Sequence, residues 1–282
     1  MSNSKDFNGK VVLITGSSGG IGATTAIEFS RNGANVVITG RNANNLSEVG
    51  KECQNVSPKG LPPLEVVADV SKDDDCKRLI DSTIKIFGKL DVLVNNAGFG
   101  MGSLITDANI LDKYKQIMDT NLRSVVYLTH LSVEHLEKTK GNIINMSSVA
   151  SMKPFCGFSL YSMSKCALDM FTKCLALELG PKGIRVNTIK YRICLNYEIC
   201  ITITERLSVS PGHVRTNFLQ VVGYSKSQSD ARYDELANKY PLARVGESKD
   251  IANAVLFMAS SESSFVTGIN FLSDGGALYS NI

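Results

Sequence analysis

The segment KVVLITGSSGGIGATTAIEFSRNGANVVITGR, from Lys10 to Arg41, constrains the fold of this chain more than any other. Within it a β-branched apolar run, a glycine-rich turn, a helical stretch and a second apolar run follow one another. That order is strand, turn, helix, strand, and it recurs. LEVVADV leads through a helical stretch to KLDVLVNNAG, and GNIINMSS leads through YSMSKCALDMFTKCLALELG to GIRVNTI. Short, continuously apolar strands alternating with amphipathic helices belong to a parallel sheet covered on both sides. The expected fold is α/β, a doubly wound parallel β-sheet flanked by helices on both faces. No linker, low-complexity tract or repeat divides residues 1–282, so a single domain is expected.

Composition removes several classes of function. The net charge of +3 is small and its cations are scattered among acids, so no nucleic-acid footprint is present. The start, MSNSKDFNGK, is polar, and no apolar run approaches the roughly 20 residues that span a bilayer. A cytoplasmic protein with no membrane span is expected. Seven cysteines without paired short spacings or companion histidines read as reduced thiols rather than a disulfide framework or a metal site. His130 and His135 read as helix-surface or subunit-contact residues, and no metal is expected.

Three stretches carry chemistry. In Thr15-Gly16-Ser17-Ser18-Gly19-Gly20-Ile21-Gly22, glycines between a strand and a helix permit a tight turn. They also let a pyrophosphate reach the helix N-terminus, so a dinucleotide is expected there. The second strand ends in Thr39-Gly40-Arg41-Asn42, a guanidinium where NAD-preferring proteins place a carboxylate. Arg41 can pair with a 2′-phosphate, so NADP(H) is preferred over NAD(H). Tyr161 and Lys165, four apart on a helix, project from one face, and a cation beside a phenol favours the phenolate. Ser148 ends the strand-like GNIINMSS, at the sheet edge where such folds bind ligands.

With these residues in order, the chain resembles the short-chain dehydrogenase/reductase family, whose fold is Rossmann-type. The match consists of TGSSGGIG at 15–22, Asp69 in VVADV, NNAG at 95–98, Asn121 in TNLRSV, Ser148, YSMSK at 161–165, and PG followed by Thr216. The resemblance implies interconversion of a secondary alcohol and a ketone or aldehyde by hydride transfer. Tyr161 would be general acid or base, and Ser148 would hold the carbonyl oxygen. Lys165 would hold the nicotinamide ribose and depress the Tyr161 pKa, and Asn121 would anchor a water in a proton relay. Implied cofactor contacts are Gly16, Ser18, Gly20, Ile21, Gly22, Arg41, Asp69, Val70, Asn96, Ala97, Gly98, Tyr161, Lys165, Pro211, Gly212 and Thr216. It further implies a small-molecule carbonyl or alcohol substrate, a substrate loop over 217–245, and a homodimer or homotetramer. The alternative is a catalytically impaired dinucleotide-binding regulatory or scaffold protein of the same fold.

One block departs from the family pattern. There, RVN and a few further residues run directly into Pro-Gly, whereas here Lys190 to Ser210 separate Ile189 from Pro211-Gly212. As an insertion, EICITIT alternates enough for an added strand. The block also has the form of a translated intervening sequence. Lys190-Tyr191 encoded AAG-TAY contains GT, and Val209-Ser210 encoded GTC-AGN contains CAG. Removal from that GT through that CAG keeps frame, shortens the chain by 20 residues and leaves Asn or Lys before Pro211. This gene-model artefact is the favoured expectation, and a genuine insertion would put family activity in doubt.

Overall fold

A computed structural model describes residues 6–191, 214–215, 225–238 and 240–279. The strands β1 (Val11–Ile14), β2 (Asn35–Gly40), β3 (Leu64–Val67), β4 (Val92–Asn95), β5 (Asn142–Ser148), β6 (Arg185–Tyr191) and β9 (Asn270–Leu272) form one sheet in the order β3-β2-β1-β4-β5-β6-β9. Every pair in it is parallel. The strand order reverses between β1 and β4, so the turns leaving their carboxyl ends part and open a crevice, the position where open α/β sheets take ligands.

Both faces are covered, as the continuously apolar strands require. Helices α1 (Gly20–Arg31), α2 (Ala43–Val56) and α8 (Ser248–Ala259) contribute Ile21, Phe29, Leu46 and Val255 to one buried cluster, which Ile14, Ile38, Met146 and Ile189 meet from the sheet. Helices α3 (Asp73–Phe87), α5 (Ser124–Thr139) and α6 (Ser159–Leu179) contribute Leu79, Leu128 and Leu175 to the other, against Leu13, Leu93, Ile143 and Val186. In β1, β2, β4, β5 and β6 alternate residues thus serve opposite clusters, as strands buried on both faces require.

The region 217–245 is more ordered in part than a loop. Among its described residues α7 spans Lys226–Ala237. The short β7 (Val214–Arg215) pairs in parallel with β8 (Gly246–Glu247). At the other end of the anomalous block, β6 does not stop at Ile189 but continues through Lys190 and Tyr191, which pair with Ser147 and Ser148. The block's first two residues are therefore sheet residues. EICITIT lies outside the described residues.

Candidate active site

Steric demand shapes the turn after β1. Gly16 adopts φ +63°, and a Cβ there would lie 2.9 Å from the Ala97 Cα. A Cβ on Gly22 would collide with the Gly16 carbonyl and come within 2.5 Å of Asn96 Nδ2. Asn96 is the clamp that makes the fit tight. Its Nδ2 donates to the carbonyls of Thr15 and Gly16 at 2.8 and 3.1 Å, and the Thr15 hydroxyl accepts from the backbone of Asn96 and Ala97, both at 2.9 Å. The clamp joins the turns of β1 and β4 across the crevice. No side chain caps the N-terminus of α1 and no acid lies in its first turn, so N–H groups beginning at Gly20 and Ile21 remain available to an anion.

Arg41 is exposed beyond β2 and lines an open cleft of about 450 Å³ with Ser18, Asn42, Ala43 and Asn44. Asp69 is occupied locally, since its Oδ1 accepts from the backbone and hydroxyl of Ser71 at 3.0 and 2.7 Å. Val70 is buried in the core cluster beneath α3. Side-chain geometry therefore gives Asp69 and Val70 structural employment. Pro211, Gly212 and Thr216 lie outside the described residues.

The four expected catalytic residues converge from three elements, all nearly or fully buried: Asn121 at 0%, Ser148 at 0%, Tyr161 at 3% and Lys165 at 4% exposure. Asn121 sits on a π-helical turn, Asp119–Arg123, between α4 (Ile110–Met118) and α5. The wider turn displaces one residue from the helical face, a device frequent at functional sites. Its side chain reads the backbone of Phe99, accepting from the N–H at 2.9 Å and donating to the carbonyl at 2.7 Å, and donates to Ser164 Oγ at 3.2 Å. Ser148 ends β5, and its Oγ accepts from the Ala150 N–H at 3.1 Å.

Tyr161 and Lys165 share one face of α6 as their spacing requires. The Lys165 Nζ lies 5.6 Å from the Tyr161 ring centroid and donates to the Met146 carbonyl at 2.8 Å. Buried polar contacts hold α6 against the sheet. Asn95 donates to Asn145 at 2.9 Å, Asn145 to Thr172 at 2.9 Å, and Thr188 to Thr172 at 2.8 Å, which ties β4, β5, β6 and α6 together. Gly98 makes room for the lysine, since a Cβ there would stand 3.2 Å from Asn121 Oδ1 and 3.4 Å from Lys165 Nζ. Gly100, not anticipated from the sequence, does the same for the phenol ring, where a Cβ would be 3.0 Å from Tyr161 Cδ2. Its only signal was a second glycine two residues after NNAG.

Burial dominates the electrostatics of the pair. Burial pushes the Tyr161 phenol well above its ordinary pKa and the neighbouring Tyr191 raises it further, while a hydrogen bond with the Ser148 side chain opposes them. Burial brings the Lys165 ammonium itself down to about 8, against an opposing pull from Asp169. Burial thus favours the neutral form of the phenol.

The β6 extension adds two residues to this neighbourhood. Lys190 turns toward α6, where its Nζ meets Asp169 Oδ2 at 2.6 Å in a buried ion pair. Tyr191 turns to the opposite side and is 3% exposed. Among the described residues no cluster of metal-binding side chains occurs, and no helix is long and apolar enough to cross a membrane.

Residues 10–195 match the family model described as short chain dehydrogenase, and residues 207–278 match that described as enoyl-(acyl carrier protein) reductase. Residues 196–206, inside the anomalous block, fall between the two matches. Glucose 1-dehydrogenase of Gluconobacter oxydans (strain 621H) is 35% identical over 272 residues, covering 96% of this chain and 92% of that protein. The 11-beta-hydroxysteroid dehydrogenase A of Sesamum indicum is 39% identical over 179 residues, covering 63% of this chain and 51% of that protein, about half its length. Among solved structures, a short-chain dehydrogenase/reductase of unknown function from Caenorhabditis elegans, crystallised with cofactor, matches with a TM-score of 0.82 at 37% identity and 96% coverage of both chains.

Proposed function

The chain belongs to the short-chain dehydrogenase/reductase family of alcohol and carbonyl oxidoreductases, and on that premise we propose that it interconverts a secondary alcohol and its carbonyl with NADP(H) preferred over NAD(H). The observation that carries this reading is the burial of Ser148, Tyr161, Lys165 and Asn121 in one cluster beside the crevice between β1 and β4. The residues present fit a dinucleotide. A Cβ at Gly16 or Gly22 would fill the turn, the α1 terminus is uncapped, and Arg41 stands at an open cleft. Gly16, Ser18, Gly20, Ile21 and Gly22 would hold the diphosphate side and Arg41 a 2′-phosphate. Asn96, Ala97 and Gly98 support that cradle, and Asp69, Val70, Pro211, Gly212 and Thr216 complete the proposed contacts.

When bound, the nicotinamide supplies or accepts hydride at the carbinol carbon. The protein handles the proton. In reduction the carbonyl oxygen gains negative charge, Ser148 donates a hydrogen bond to it, and Tyr161 transfers its proton to it. Lys165 then stands beside the phenolate that remains, and Asn121 orders the Phe99 segment against this pair. Oxidation reverses each transfer. The sugar and steroid in the relatives' names belong to those proteins.

Self-association into a homodimer or homotetramer is part of this reading. It is supported by Met163, Met170 and Leu177, exposed at seven-residue spacing along α6, and sedimentation velocity tests it. A cytoplasmic location is likewise proposed, supported by the free thiols of Cys53, Cys76, Cys166 and Cys174.

Fluorescence titration with NADPH and NADH, followed by turnover on a panel of alcohols and ketones, tests the function. NADPH should bind at least about tenfold more tightly, Arg41→Ala should remove the difference, and Tyr161→Phe should abolish turnover without abolishing binding. A folded sample that binds neither nucleotide overturns the reading. The impaired dinucleotide-binding alternative is favoured by one observation, the anomalous block that separates the two family matches.

A further inference from the structure

Two polar side chains of α6 outside the proposed chemistry bond to the sheet, Asp169 and Thr172. They differ in stiffness. Asp169 is met by Lys190, whose flexible four-carbon stem can follow a helix that slides. Thr172 has no such slack. It is β-branched, and its hydroxyl donates to the Leu168 carbonyl one turn back at 3.0 Å, which fixes its rotamer. The same oxygen accepts from Asn145 Nδ2 of β5 at 2.9 Å and from Thr188 Oγ1 of β6 at 2.8 Å. A hydroxyl has one proton and two lone pairs, and all are used. The sheet side is equally braced. Asn145 pairs in register with Asn95 of β4 and with Thr188, and it accepts from Asn95 Nδ2 at 2.9 Å, so a buried polar row crosses three strands beneath the helix.

The apolar contacts that Leu175 and Leu179 add are non-directional and leave the position of α6 along the strands unfixed. Directional bonds to a rigid side chain fix it. Thr172 also shares a stripe with the reacting pair. It follows Lys165 by seven residues and Tyr161 by eleven, within about 20° of each around a helix of about 3.6 residues per turn. On β5, Asn145 immediately precedes Met146, whose carbonyl accepts from Lys165 Nζ at 2.8 Å, and Ser148 ends the same strand. One strand thus holds both the anchor and the reacting groups of one helix face.

We propose that Thr172 is a positioning residue, whose hydroxyl sets where α6 lies along β5 and β6 and thereby where Lys165 and Tyr161 stand against Met146 and Ser148. Thr172 is itself fully enclosed and acts through the helix. Its effect on turnover rests on the oxidoreductase function proposed above; the placement of α6 does not.

Thr172→Val keeps the shape of the side chain and removes its three bonds, whereas Thr172→Ser keeps the hydroxyl. Crystal structures of both variants and of the wild-type chain read the placement without reference to activity. In the valine variant α6 should shift along β5 by about 1 Å, the scale of misplacement that costs on the order of 100-fold in rate. In the serine variant it should stay in place. An unmoved α6 in the valine variant overturns the proposal whatever the enzyme does. Turnover is followed in parallel as NADPH oxidation on a panel running from propanal to a bicyclic ketone. In the valine variant kcat should fall by about 30- to 100-fold while KM and the NADPH Kd change by less than about threefold. The serine variant should recover kcat to within about threefold of wild type. Loss of nucleotide affinity in step with kcat, or no recovery in the serine variant, would mean a general loosening of the fold and overturn the proposal. Thr188→Val removes one of the two sheet donors and carries the test if the valine variant at 172 does not fold, with a shift and a loss of kcat of the same kind and smaller size. A displaced α6 with no turnover by any variant or by the wild-type chain would uphold the placement and count against the oxidoreductase function instead.

Discussion

Two strands of one sheet end beside the candidate site in opposite ways. β1 stops at Ile14 and hands over to a turn defined by absent side chains, where Gly16 and Gly22 have no room for a Cβ. β6 runs on for two residues and delivers large polar side chains into buried positions, Lys190 against Asp169 and Tyr191 in the core cluster under α1, α2 and α8. The first end is shaped by exclusion and the second by compensation. An excluded volume fails when an atom is added, whereas a compensated charge fails when its partner is removed, and the second failure costs more in a dry interior.

The strongest test of this contrast is at the compensated end. Asp169→Asn leaves the Lys190 ammonium buried without its counter-charge, and stability should fall by about 3–5 kcal/mol in urea denaturation. Replacing both partners, Asp169→Leu with Lys190→Met, should return it to within about 1 kcal/mol of wild type, because no charge then remains to be compensated. A single mutant that unfolds at the wild-type midpoint would break the contrast. At the excluded end, Gly22→Ala places a methyl against the Gly16 carbonyl and Asn96. The Asn96 clamp must open, and NADPH affinity should fall by about 100-fold, roughly 2.7 kcal/mol, with a smaller loss of stability of about 1–3 kcal/mol. Isothermal titration and thermal unfolding separate the two effects.

The same contrast governs what could be read from the sequence. Excluded volume leaves glycines at fixed places in a strand-turn-helix pattern, so the turn at 15–22 was legible. The Tyr161-Lys165 face follows from helical spacing, and Ser148 from its place at a strand end. Compensation leaves no local trace. Apolar alternation ends at Ile189, and Lys190-Tyr191 read as the start of an alien block because the partner that makes a buried lysine tolerable lies on α6, 21 positions earlier at Asp169. The π-turn under Asn121 was equally silent, since one extra residue in a helix has no periodic signature. The ion pair also bears on the shorter chain expected from an artefact. Asn before Pro211 would leave Asp169 without this cation, whereas Lys would retain the partner.

Lys165 lies between the two ends and sharpens the comparison with the smallest effect. Its ammonium is buried, and its pKa is drawn down to about 8, whereas an unfolded lysine titrates near 10.4. Between those values the unfolded chain holds more protons than the folded one, so folding stability rises with pH across that window and its handicap is fully present below pH 8. Lys190, with a carboxylate at 2.6 Å, is compensated directly; Lys165 has the Met146 carbonyl and a more distant pull from Asp169. Lys165→Met should therefore stabilise the protein at pH 7 by about 1–2 kcal/mol, the relieved burial of charge outweighing an orphaned carbonyl. It should also flatten the rise in stability between pH 8 and 10 while abolishing turnover. Parallel stability profiles for mutant and wild type would mean that Lys165 is as well compensated as Lys190. A flattened profile with lost activity would place the undercompensated charge at the phenolate it is proposed to stabilise, where instability is tolerated for function.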